Sequence, residues 1–146
     1  MADDAEPQRF EDPFAPDVAV QRREARERAV ELLYEAQLRA VEVTEVISEQ
    51  LIPPDEFAVR LAQGVSAAID DLDARLATLL HQGWSLERLA ILDRWILRLG
   101  LFELDRGDAP VGAVINEAVE LASSYGATDE SPRFVNGVLA AASRAG

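Results

Sequence analysis

The chain has 146 residues, 49% of them hydrophobic, enough for one compact domain that buries roughly two-thirds of the surface of its unfolded chain. It contains no cysteine and a single histidine, His81, which excludes disulfides and thiolate metal sites and leaves no parts for a Cys–His nucleophile. The net charge of −13, with all 14 basic residues arginine, works against generic nucleic-acid binding, where phosphate contacts supply most of the affinity.

Residues 1–19 are predicted to be a disordered acidic tail. They carry Pro7, Pro13 and Pro16 and no apolar periodicity, and residues 1–17 hold six acids against Arg9. An acidic, proline-broken start is unlike a signal peptide, and no run of about 18 apolar residues occurs, so the expected location is cytoplasmic. The folded domain is expected over 20–146. Ala25, Ala29, Leu32, Leu33, Ala36 and Ala40 form one helical stripe, and a shorter segment from Val43 to Ile52 ends at Pro53-Pro54. A long helix is predicted from about Asp55 to His81, followed by Gly83. Ser85 is the expected cap of a central helix over 89–104, LAILDRWILRLGLFEL, whose only wet stripe is Arg94, Arg98 and Asp105. Val111 to Tyr125 forms the next helix. Ser131-Pro132 then opens a last one that runs to about Arg144. With no period-two alternation and no hairpin turn, the fold class is all-α, with six to seven helices.

Catalytic chemistry finds little foothold. The run Asp70, Asp71, Asp73 lacks calcium-loop spacing and reads as a solvated helix face, and the glycines form no phosphate loop. Glu117 and Glu120 lie one turn apart with nothing to mark a catalytic dyad. The chain is therefore expected to be a binding protein with no cofactor and no metal, not an enzyme.

Three features suggest where it binds. Arg23–Glu27, Glu24–Arg28 and Glu35–Arg39 are spaced to support an exposed helix, whereas Arg22 and Arg26 have no acid at either helical step. That pair is either ordinary solvated surface or a face turned to a polyanion. Phe134 sits about 90° from the centre of the last helix's apolar face, as peripheral core or as a stacking platform for an unpaired base. Arg133 and the helix start at Ser131 would suit a phosphate beside it. Asp93 projects from an apolar flank of the central helix, either as an internal cap or ion-pair partner or as a contact for another protein.

The segments ARERAVELLYEAQL (25–38), ILDRWILRLGLFEL (91–104), INEAVELASSYG (115–126) and SPRFVNGVL (131–139) resemble the NusB family of bacterial transcription antitermination factors. Residues 40–80 match it only in helical character. The resemblance implies two subdomains, each roughly a three-helix bundle. It implies binding of single-stranded boxA-type RNA together with the ribosomal protein NusE, within an RNA polymerase complex that suppresses termination, notably in rRNA operons. By this resemblance the RNA-binding residues are Arg22, Arg23, Arg26, Tyr34, Glu130, Ser131 and Phe134, to which Arg133 is added from its place beside Phe134, and the partner-binding residues are Asp93 and Arg94. The chain departs from the family in Glu24, which interrupts the arginine cluster, and in a Tyr125–Phe134 loop one residue longer than usual. Two other readings are a protein-interaction paralogue without RNA binding and a homodimer that buries the RNA face.

The tail's −5 balance beside the arginine cluster makes it an electrostatic competitor for RNA. Deletion of residues 1–17 is expected to tighten RNA binding, most strongly at low salt; an unchanged affinity in a gel-shift titration would remove the idea.

Overall fold

The computed structural model describes residues 17–145, so the acidic tail through residue 16 lies outside it. Asp17 is the cap of the first helix, α1 (Val18–Arg39): its carboxylate accepts the Ala19 backbone N–H at 3.0 Å. The helix thus begins two residues before the expected boundary, because an aspartate there satisfies an otherwise orphaned donor. A tail truncation should therefore stop at residue 16. The helix ends at Ala40, whose φ of 56° turns the chain left-handed, so Ala40 leaves the apolar stripe and is exposed.

α2 is short (Val43–Ser48) and leaves Leu51 and Ile52 in a fully solvated loop. The long helix expected over 55–81 is instead two, α3 (Glu56–Ala67) and α4 (Ile69–Leu79). Asp55 caps α3 by accepting the Phe57 N–H at 2.7 Å. The break is at Ala68, whose N–H is shared between the Gly64 and Val65 carbonyls. Ser85 makes no side-chain cap and precedes only a 3-10 turn, Leu86–Arg88. The central helix α5 (Ile91–Arg106) starts after Ala90 and is closed by Gly107 at φ 69°. α6 (Val111–Tyr125) and α7 (Ser131–Ala145) complete the seven α-helices, and there is no strand among the described residues.

α5 organises the rest. Trp95, Ile96, Leu97, Leu99 and Leu101 are all buried, as the nearly all-round apolar sequence requires. α1, α2 and α3 pack together as one group and α5, α6 and α7 as the other, while α1 and α3 rest on α5 and α4 bridges to α5 and α7. The two three-helix groups share one continuous hydrophobic core. Arg98, expected on the wet stripe, is buried instead: it makes two bonds to Asp73, at 2.6 and 2.8 Å, and stacks 4.4 Å from the Trp95 ring. Asp73 correspondingly leaves the solvated acid run. Pairing supplied from α4 is what allows a charged residue in this position.

Close approach is set at Gly100, where a β-carbon would lie 2.5 Å from Leu139 Cδ1 and 3.5 Å from the Ala118 methyl. Leu139 is fully buried and has nowhere to go. Gly100→Leu is therefore expected to destabilise the fold by about 2–3 kcal/mol through overpacking, as a lower urea midpoint; an unchanged midpoint would contradict this packing.

Candidate functional site

Most of the sequence-predicted binding residues fall at two ends of α5. Glu103 marks one and Asp93 the other, ten residues apart and hence ~15 Å along the helix axis.

At the C-terminal end of α5 stands the arginine cluster of α1. Arg26 is buried, with two bonds to Glu103 at 2.9 and 3.0 Å and a 3.7 Å contact to Glu117. Arg23 also bonds Glu117, at 3.1 and 3.2 Å, and that carboxylate holds its guanidinium above the ordinary range. The acids missing one turn away on α1 are thus supplied by α5 and α6. Arg22 differs: it is exposed, 4.4 Å from the Phe57 ring centroid, with no carboxylate in ion-pair range among the described residues. Of the three expected i,i+4 pairs only Glu35–Arg39 forms, at 3.0 Å; Arg28 turns to Glu31 and Gln50. Tyr34 is half-buried against the core and does not reach this cluster.

At the N-terminal end of α5 the loop between α6 and α7 is tied down by Asp93. One carboxylate oxygen accepts the Ala127 N–H at 3.2 Å and the other the Ser131 hydroxyl at 3.0 Å. Ser131 in turn accepts the Thr128 N–H at 3.2 Å, and Thr128 Oγ1 accepts the Glu130 N–H at 3.1 Å. Gly126 permits this closeness, since a β-carbon there would overlap Ser131 and the Ala122 carbonyl. Asp93 and Ser131 are both buried, so the internal-cap reading of Asp93 describes its carboxylate. Ser131 is an interior hydroxyl rather than an exposed one.

This clamp forms the wall of a groove of about 400 Å³, floored by Leu80, Leu89 and Ala90 and flanked by Phe134, Trp84 and Glu130. Phe134 is half-buried and packs against the core on one side. Trp84 is 58% exposed, an apolar area normally buried, and sequence reasoning missed it. Its signal was a tryptophan directly after Gly83 in a connection, where packing has no use for one. Phe134 therefore shares a cavity with Asp93, the expected partner residue, and with Arg88, and not with the α1 arginines Arg22, Arg23 and Arg26. Arg133 points elsewhere, into a shallow groove with Asn116 and Asn136. Arg94 is half-buried, and its enclosed Nε has no acceptor among the described residues. No group of acids and histidine among the described residues is arranged to hold a metal, and no described helix is long and apolar enough to cross a membrane.

The Arg26–Glu103 pair is the more testable anchor. Glu103→Ala leaves the buried Arg26 guanidinium with only the longer 3.7 Å contact to Glu117 and is expected to lower stability by about 2–4 kcal/mol in urea unfolding, below the full cost of an uncompensated charge. The joint change Arg26→Met/Glu103→Leu should recover most of that loss; equal losses in both variants would show that the charge itself is not the cause.

The NusB family model matches residues 23–144. A transcription antitermination protein NusB from Saccharopolyspora erythraea is 44% identical over 126 residues, covering 81% of this chain and 83% of that protein. Its counterpart from Thermobifida fusca is 47% identical over 126 residues, covering 81% and 85%. Among solved structures, Thermotoga maritima NusB superposes with a TM-score of 0.75 at 31% identity, over 84% of this chain and 90% of that one. A NusB chain from a complex of antitermination factors NusB and NusE with double-stranded RNA gives 0.72 at 31% identity, over 87% and 98%. With the family model spanning nearly the whole described chain and relatives above 40% identity, this protein belongs to the NusB family.

Proposed function

We propose that the protein is a transcription antitermination factor that binds boxA-type single-stranded RNA jointly with NusE and acts in the cytoplasm alongside RNA polymerase, notably on rRNA operons. The observation that carries the reading is the groove beside Asp93, where Phe134 and an exposed Trp84 stand over an apolar floor. Aromatic faces of this kind stack unpaired bases without needing a basic surround, which suits a chain of net charge −13. In the related complex, NusB is held with both NusE and double-stranded RNA.

The residues divide by what they are free to do. Phe134 stacks a base at the rim, while Trp84 on the groove's flank and the floor at Leu80 and Leu89 receive apolar side chains of the partner. Asp93 acts on both by holding the Ser131 end of α7 in place, not by offering its carboxylate. Arg22 and Arg133 supply phosphate contacts, whereas Arg26 and Arg23 contribute mainly structure because Glu103 and Glu117 already engage them.

RNA titration by fluorescence anisotropy, with and without NusE, tests the reading. The wild type is expected to bind boxA-type RNA more tightly with NusE present and to prefer it over a scrambled strand. Phe134→Ala should weaken binding by about five- to a hundredfold, the usual range for removing one base–aromatic stack. Equal affinity for boxA-type and scrambled RNA in the presence of NusE would contradict the function.

A further inference from the structure

We propose that Arg22, Arg60 and Arg106 form a phosphate-binding subsite for RNA over the rings of Phe57 and Phe102, at the opposite end of α5 from Phe134. The inference rests on the RNA-binding reading above and extends it to residues of α3 and α5 outside the arginine motif of α1.

The concavity holds about 340 Å³ and is lined by four arginines, Arg22, Arg26, Arg60 and Arg106, against two carboxylates, Glu103 and Asp108. In a chain of net charge −13 this is a local reversal of sign. Three guanidiniums crowd one ring: Arg22, Arg26 and Arg60 lie 4.4, 5.4 and 5.8 Å from the centroid of Phe57. Only Arg26 has its charge answered there, by Glu103. Arg22 and Arg60 are exposed, with no carboxylate in ion-pair range among the described residues. Like charges gathered at one place repel unless an anion sits between them, so the pocket is arranged for a ligand that supplies one.

The aromatic floor does a second job. Stacking on Phe57 holds the planar forks of Arg22 and Arg60 in place, and Arg106 lies 5.8 Å from the Phe102 ring. Forks fixed in this way lose less freedom on binding and match phosphate oxygens in pairs. The one carboxylate held by Arg106, Asp108, is a highly exposed neighbour two residues on, a weak surface pair that a phosphate can displace. Arg60 and Phe57 stand one turn apart on α3, whose start is fixed by the Asp55 cap, so the subsite is built on rigid helix. Several forks spread along a wall suit the repeated phosphates of a strand better than one isolated anion. Because α1, α3, α6 and α7 cover α5, a strand that stacks on Phe134 reaches this end only over those helices, by a path longer than the ~15 Å that separates the two ends along the α5 axis.

The test is a salt titration of RNA binding by fluorescence anisotropy in saturating NusE, comparing the full-length wild type with Arg60→Ala/Arg106→Ala, Arg60→Lys and Phe134→Ala. The double alanine variant is expected to bind about tenfold more weakly, and the slope of log K against log salt should fall by about 0.7 for each phosphate that is no longer neutralised. Arg60→Lys should keep the slope, and Phe134→Ala should weaken binding without changing it. Both arginines are exposed, so thermal melts of the double variant should match wild type. Wild-type affinity and slope in the double variant, while Phe134→Ala weakens binding, would overturn the subsite and leave the function standing. Failure of the double variant to associate with NusE in the absence of RNA would also overturn it, by making the pocket a protein-docking surface. A wild type that binds no RNA with NusE present would overturn both.

Discussion

The burial of α5 is the constraint on which the rest of the molecule depends. A helix that is apolar nearly all round has to be covered on every side, and here α1 and α3 cover one flank while α6 and α7 cover the other. Gly100 lets Leu139 and Ala118 close against its backbone, so α7 is fixed in depth as well as direction. Three polar side chains on α5 are then held in defined pairings with other elements: Asp93 with Ser131 and Ala127, Arg98 with Asp73, and Glu103 with Arg26. Each of these holds another element in place. Two of them, Asp93 and Glu103, stand beside the two candidate binding surfaces.

This arrangement explains how an acidic chain can present a basic surface. Two carboxylates at the arginine cluster, Glu103 and Glu117, are spent on structure, bonded to Arg26 and Arg23 across helices. The arginines left over, Arg22 and Arg60, are held on an aromatic ring and not by acids, so their charge remains available. Net charge is a poor guide to such a surface because it sums over the whole chain, while a phosphate senses mainly what lies within a screening length.

The helical order was legible because apolar spacing along each segment reports the face that must be buried. The break at Ala68 was not: no proline or glycine occupies that position, and the chain turns there because α4 packs toward α5 and α7. The candidate residues were legible as types, and Arg22, Asp93 and Phe134 do border concavities. Their pairings were not. Arg26 bonds an acid 77 residues away and Arg23 one 94 away, so neighbouring positions on α1 could not reveal which arginine was free. The same distance problem hid the grouping of Phe134 with Asp93, which are joined only through the Ser131 clamp. Arg60 was passed over because it breaks no helical pattern, and Trp84 because it lies in a connection, where there is no periodicity to depart from; each matters for where the fold leaves it.

The central claim is that one RNA strand engages both ends of α5. Mapping chemical shifts of the isotopically labelled protein as boxA-type RNA is added with NusE tests this most directly. The account predicts simultaneous, saturable shifts at the Trp84 indole and around Phe134 at one end, and at the Arg22 and Arg60 side chains at the other. Shifts confined to one end, with the other unmoved at saturation, would contradict it.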